Sequence, residues 1–230
     1  MPFLKEANKM MFPDLDATRF ELNDDFFKAE FEGILSKIIA CYKLMLADSI
    51  SLSNDENLIR DVLLINYLKN NKIRKQVDLL NYLFDREVPE DATFGRTDIK
   101  IQSSNTFVDT GAYYTIECKR INAANPTGKT GLNAKYIENG IQRFVLKTYA
   151  SHYQINGMIG FVVQGLDIHK NTISINSLLT GDFKHITTTQ VLTGKSIVSG
   201  FDFCYYSTHN TTTSDLTIYH LKFDFSKNIK

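Results

Sequence analysis

Apolar residues recur in three- and four-residue steps from residue 25 to about residue 47: Phe27, Phe31, Ile34, Leu35, Ile38, Ile39, Tyr42 and Met45. That spacing predicts an amphipathic helix with Asp24 or Asp25 as its N-cap. Gly33 lies inside it, at a cost of only ~1 kcal/mol. A second start signal, SLSNDE at 51–56, joins capping residues to acids that suit a helix N-terminus. The helix it opens turns Ile59, Val62, Leu63, Asn66 and Tyr67 to one side and ends at Asn70-Asn71. A shorter helix is expected over 72–84, with Val77, Leu80, Leu83 and Phe84 inward. Pro89 disfavours helical backbone at Val88, so 84–91 reads as extended.

Two strand-length runs follow, 97–102 and 113–119, joined by the polar turn SSNTFVDTGA. After a loop of small and polar residues, NAANPTGKTGLN, a helix is expected over 134–151, with Ile137, Ile141, Phe144, Val145 and Tyr149 in phase. The run GMIGFVVQ at 157–164 is almost wholly apolar, as in a strand buried on both faces. Residues 173–198 read as a short helix or loop. The runs 201–209 and 216–225 alternate and are joined by NTTTSD, which predicts a strand hairpin. Helices, two strands, a helix, a buried strand and a strand pair imply an α/β fold, a mixed central sheet flanked by helices. The length of 230 residues suits one domain, 25–230, preceded by an extension at 1–24.

Composition narrows this little. With 26 basic and 26 acidic residues, overall charge gives no pointer to nucleic acid. The cysteines, Cys41, Cys118 and Cys204, are widely spaced and odd in number, which suits a reducing compartment. There is no zinc-spaced Cys/His cluster, no Walker loop and no G-x-G-x-x-G. Neither a signal-peptide run nor a membrane-spanning run is present, so a soluble cytoplasmic chain without a membrane partner is expected.

Candidate chemistry concentrates in the two central strands. Asp98 sits within the first, and the second ends in Glu117-Cys118-Lys119. Alternation puts Glu117 and Lys119 on one face and Cys118 on the other. If the strands are neighbours, two carboxylates and an ammonium converge. Magnesium takes one or two protein carboxylates and accepts phosphate oxygens, and the Cys118 carbonyl would be a third ligand. Acid-x-Lys alone decides nothing, because Asp98-Ile99-Lys100 and Asp182-Phe183-Lys184 repeat it. A solvated strand face with an ordinary ion pair would explain the triplet equally well. Its context favours a site: the apolar run YYTI, an acid 19 residues upstream, and a helix that begins with Glu56. From 119 to 147, Lys119, Arg120, Lys129, Lys135, Arg143 and Lys147 stand against one acid, Glu138, a balance suited to phosphates. Lys69, Lys72, Arg74 and Lys75 read as helix-end residues, Arg96 as a salt-bridge partner and Glu87 as a surface acid. His209 and His220 read as packed or surface residues.

This arrangement resembles the PD-(D/E)XK nucleases, the restriction endonuclease-like superfamily, over about residues 55–165. Asp98, in GRTD, matches the family's metal aspartate, and Glu117, Cys118 and Lys119 match its D/E-x-K. Glu56 matches the acid on the first core helix; Gln142 and Arg143, in GIQRF, match residues that the later helix turns toward phosphate. Thr97 stands where the family name has proline. The resemblance implies a restriction endonuclease-like three-layer core, here with an added N-terminal helix and C-terminal strand pair. It implies a Mg²⁺- or Mn²⁺-dependent phosphodiesterase, an endonuclease of restriction or defence type acting on DNA, with RNA left open. Asp98, Glu117, Glu56 and the Cys118 carbonyl would hold metal, and Lys119 would assist the attacking water. Arg120, Lys135, Gln142 and Arg143 would contact nucleic acid. Cutting both strands would call for a homodimer. Two alternatives stay open: an inactive nucleic-acid-binding or assembly module on the same fold, and a carboxylate-pair hydrolase acting on sugars, which needs no lysine.

Overall fold

The computed structural model describes residues 23–89, 96–146, 152–211 and 214–230. Helix α1 (Asn23–Ala47) buries the expected stripe from Phe31 to Met45, with Phe27 partly buried. Residues 1–22 of the expected extension lie outside the described residues, and 23–24 belong to α1.

Helix α2 (Glu56–Asp61) starts at Asp55, whose carboxylate accepts the Leu58 N–H at 3.0 Å. It runs on into a π-helical stretch (Val62–Leu68), where the Lys69 N–H reaches back to the Leu64 carbonyl at 2.8 Å. The widened turn advances the buried face by a residue. Ile59 and Leu63 are buried, then Leu64, Tyr67 and Leu68, while Asn66, expected inward, is exposed. Helix α3 (Asn71–Gln76) is shorter than expected. The chain leaves it through Asp78 in left-handed backbone (φ 58°), and Arg74 ties down the exit by donating to the carbonyls of Leu79, Leu80 and Tyr82. Leu79 therefore enters the core, whereas Leu80 and Leu83, both expected inward, are half exposed.

The strands are β1 (Leu83–Pro89), β2 (Arg96–Gln102), β3 (Tyr113–Ile121), β4 (Ile155–Val162), β5 (Thr188–Gly194), β6 (Cys204–Asn210) and β7 (Asp215–Asp224). They form one mixed sheet in the order β1-β2-β3-β4-β7-β6-β5. β1, β2 and β3 make an antiparallel meander; β3, β4 and β7 are parallel; β6 is antiparallel to both β7 and β5. The expected extended segment is thus an edge strand over Leu83–Pro89, and residues 90–91 lie outside the described residues. The 173–198 stretch, expected as helix or loop, is replaced by helix α6 (Ile168–Thr180) and β5. β5 is an edge strand rich in Thr, and only Leu192 in it is buried, so it has almost no apolar alternation to read.

Between β3 and β4 one helical rod comprises α4 (Leu132–Tyr136), a π-helical turn (Ile137–Ile141) and α5 (Gln142–Val145). Ile137, Ile141, Phe144 and Val145 are buried as expected; Lys147 and Tyr149 lie outside the described residues. Two cores sandwich the sheet. On one face α1 and α2 pack against Tyr114, Ile116, Cys118, Ile159 and Leu221. On the other, the α4–α5 rod and α6 pack against Ile121, Met158, Val162 and Ile218. Gly157 lets α1 approach, since a Cβ there would stand 2.9 Å from Ile116 and 3.1 Å from the Phe31 ring. Gly140 does the same for the rod, since a Cβ would run into Met158. Among the described residues no helix is long and apolar enough to cross a membrane.

The C-terminal strand pair carries a sealed polar row. Tyr136 Oη lies 2.9 Å from His220 Nδ1, and Ser207 Oγ lies 2.8 Å from both His220 Nε2 and His209 Nε2. Both histidines are buried, as expected, and burial depresses their pKa values, that of His209 to about 4. Beside them Lys222 is buried with no hydrogen-bond partner among the described residues, its Nζ 3.5 Å from the centre of the Tyr136 ring. Burial holds its pKa well below the usual lysine value. The unfolded chain protonates Lys222 below about pH 10.4 and the folded chain does not, so this group erodes stability as pH falls through that window. Lys222→Met, close in volume, is expected to stabilise the fold at pH 7. The gain should shrink toward pH 10.5, and urea denaturation at the two pH values measures it.

Candidate active site

The β2–β3 ladder pairs Ile99 with Ile116, so one residue further along it Asp98 stands opposite Glu117. Tyr114, Ile116 and Cys118 fill the α1–α2 core, and alternation turns Glu117 and Lys119 to the opposite face. A cleft of about 440 Å³ opens there, lined by Asp55, Glu56, Asp98, Glu117, Lys119 and Arg120 from the strands and α2, and by Leu132, Lys135, Asn139 and Arg143 from the rod.

At its centre is the Lys119 ammonium. It lies 2.7 Å from Glu117 Oε1, 3.0 Å from Glu56 Oε1 and 3.9 Å from Asp98 Oδ2, and it donates to the Cys118 carbonyl at 2.8 Å. Burial opposes its charge, but Glu117, Asp98 and Glu56 outweigh that and raise its pKa above the ordinary lysine value. Glu56 reaches across from the first turn of α2, and its other oxygen accepts the Arg120 N–H at 2.9 Å. Asp98 Oδ2 accepts the Cys118 N–H at 2.8 Å, and Oδ1 accepts from Arg60 at 2.7 Å. Arg143 approaches Glu117 Oε1 at 3.6 Å.

Glu117 is the most confined of the acids. Its Oε2 is buried without a hydrogen-bond partner among the described residues. Burial first, and then the charge of Asp98, push its carboxyl up to about 7, against the pull of Lys119 and Arg143. The Cys118 thiol lies on the far face, fully buried, with its pKa raised well above normal, so it is core and no nucleophile.

Asp98, Glu117, Lys119 and Glu56 are therefore brought together, with Arg143 and Lys135 on the cleft wall. Arg120 lines the cleft too, but its guanidinium is turned to Asn54, donating to the carbonyl and to Oδ1 at 2.8 and 2.9 Å. Gln142 is not brought in; the rod presents Asn139 and Arg143 instead, one helical turn apart. Of the other acid-x-Lys triplets, one shares Asp98 with the site but places Lys100 on the Tyr113 ring at 3.7 Å, and in the other Asp182 pairs with Lys129 at 2.9 Å. That last pair spends Lys129 away from the cleft. Of the α3 cluster, Arg74 serves backbone carbonyls and Lys69 pairs with Asp85. The side chains of Glu87 and Arg96 lie outside the described residues.

The periodicity missed Arg60. It is 2% exposed, pairs with both Asp98 and Asp61, and lies four residues after Glu56 on α2. The usable signal was that i,i+4 spacing, which places an acid and a base on one side of the helix. Among the described residues no three His, Cys, Asp or Glu side chains close around one metal-sized point, and the acids surround the ammonium instead. Family models, curated proteins and solved structures compared with this chain give no match.

The confinement of Glu117 makes stability depend on pH. Between about pH 4.5 and 7 the folded chain keeps a proton that the unfolded chain has lost, so this group's contribution falls as pH rises through that window. Glu117→Gln is expected to raise stability by about 1–3 kcal/mol above pH 7 and to leave it unchanged near pH 4. Urea denaturation across that range reads the difference.

Proposed function

We propose that the chain is a divalent-metal-dependent nuclease of the PD-(D/E)XK, restriction endonuclease-like kind, hydrolysing phosphodiester bonds in DNA. One observation carries the reading: acids from α2, β2 and β3, namely Glu56, Asp98 and Glu117, converge on Lys119 in an open cleft. The order of elements supports it. Helix α2 and the short α3, three antiparallel strands, the helical rod and a strand parallel to β3 succeed one another from α2 to β4.

The donors fit a hard cation. Glu117 Oε2 is a buried carboxylate oxygen without a partner among the described residues, Asp98 and Glu56 add carboxylate oxygens, and the Cys118 carbonyl faces the same ammonium. These are the ligands that Mg²⁺ or Mn²⁺ takes. Bound there, the ion supplies Lewis acidity toward a phosphoryl oxygen and acidity to a water. Lys119, freed from part of its carboxylate shell, orients the attacking water or neutralises charge gathering on the phosphate. Arg143 and Lys135 on the cleft wall receive the phosphate backbone.

A second reading draws on the same geometry. Every acid that converges on Lys119 already has a cationic partner, Arg60 for Asp98 and Lys119 for Glu56 and Glu117, and such self-neutrality suits an inactive nucleic-acid-binding module. Affinity for Mn²⁺ separates the two, because only the nuclease needs it. The sugar-hydrolase alternative has no use for a lysine held between two carboxylates.

Lys119→Ala and Asp98→Ala are each expected to reduce cleavage of DNA by roughly 100-fold or more in the presence of Mg²⁺ or Mn²⁺. Circular dichroism of both variants should match the parent chain. Undiminished cleavage by either variant on several DNA substrates would overturn the assignment.

A further inference from the structure

The acids in the cleft are held by more than the lysine they surround. Arg60 is buried, and its guanidinium forks between two carboxylates. One terminal nitrogen donates to Asp98 Oδ1 at 2.7 Å, while Nε and the other terminal nitrogen lie 3.0 and 2.9 Å from Asp61 Oδ1. Asp61 Oδ2 is in turn bound by Arg86 of β1 at 2.7 Å. Alternating charges therefore run from Arg86 on the surface through Asp61 and Arg60 to Asp98. At the inner end the carboxylate of Asp98 is fixed on both oxygens, Oδ1 by Arg60 and Oδ2 by the Cys118 N–H at 2.8 Å. Two donors on two different oxygens define the plane of the group and leave Oδ2 as the atom turned toward Lys119.

We propose that Arg60 is a positioning residue that sets the orientation of Asp98, holding Oδ1 so that Oδ2 faces the cleft, with Asp61 aligning the guanidinium. This rests on the reading of Asp98 as a metal ligand. Partners of ligating carboxylates commonly change metal affinity by 10- to 100-fold when they are altered. Lysine cannot replace arginine here: an ammonium keeps the charge but is a single point, and it cannot hold Asp61 and Asp98 in one plane.

The test measures Mn²⁺ binding to the full chain by calorimetry, for the parent, Arg60→Lys, Asp61→Asn and Asp98→Asn, with thermal unfolding of each. Arg60→Lys is expected to weaken Mn²⁺ at least 10-fold and Asp61→Asn several-fold, with cleavage restored in part by raised Mn²⁺. A purely structural role would lower the unfolding temperature and leave the affinity of the folded chain unchanged. If Asp98→Asn weakens binding while Arg60→Lys binds as the parent does, the role of Arg60 is overturned and the nuclease reading stands. If the parent itself binds no Mn²⁺, both fall together. Should Arg60→Lys fail to fold, Asp61→Asn decides: unchanged affinity in it overturns the proposal.

Discussion

A largely enclosed ammonium and a cluster of carboxylates around it, one of them buried, are each costly alone. Taking one such ion out of water costs several kcal/mol even after relaxation. In this chain each group answers the other, and the Lys119 ammonium is the point where they meet. The requirement is also architectural. Glu56 can reach Lys119 only if the first turn of α2 lies over the end of β3, and its second oxygen pins that position by accepting the Arg120 N–H. One turn later Arg60 ties the same helix to Asp98 on β2. Helix α2 is thus fastened to two strands at two successive turns, while Ile59 and, in the π-helical stretch that continues it, Leu63 and Leu64 fill the core beneath. The rod from Leu132 to Val145 closes the cleft from the other wall, and it comes close enough only because position 140 has no side chain to meet Met158.

With Glu117 ionised, the ion-paired network that runs through the cleft balances: Asp61, Asp98, Glu117 and Glu56 carry four negative charges, and Arg60, Lys119, Arg143 and Arg86 carry four positive ones, while Asp55, Arg120 and Lys135 line the cleft outside that network. Such a network is stable as it stands, which explains how it folds around acids. On the proposed reading, this neutrality also determines the charge that a bound ion confers. A divalent ion would leave the cleft with a net positive charge, matched to a phosphodiester and unmatched to a neutral substrate. The overall zero charge of the chain hides this, because the relevant balance is local.

Much of this was legible from residue order. Strand alternation placed Glu117 and Lys119 together and Cys118 away, because a period of two needs only that the run be a strand. The capping residues at 51–56 located the start of α2 and with it Glu56, because cap chemistry is local and the Asp55 carboxylate makes that bond. What stayed hidden depends on the third dimension. Arginine marks solvated faces far more often than buried ones, so nothing in the residue order singles out Arg60, whose burial rests on two carboxylate partners. Asn66 was misplaced because a π-helical turn changes the period partway along the helix that α2 begins. Gln142 rests on the resemblance together with Arg143, and of the two only Arg143 lines the cleft, with Asn139 one turn before it. β5 escaped because its polar edge-strand sequence carries little alternation at all.

The sheet supplies a comparison between two lysines that sequence alone treats alike. Lys119 of β3 pairs with Gly160 of β4, and Gly160 pairs with Lys222 of β7, so both lysines lie in one row, two strand spacings or about 10 Å apart. In the row beside it Glu117, Met158 and His220 are aligned in the same way. The same face of the same sheet therefore carries two amines with opposite fates. Lys119 has anions within reach and a cleft before it, so it keeps its proton and stays open to the cleft. Lys222 has an aromatic ring and no hydrogen-bond partner among the described residues, so burial strips its charge and seals it into the core. Chemistry at this face is decided by which row the carboxylates of α2 and β2 can reach. They reach the β3 end, and Met158 with the rod above it closes off the rest.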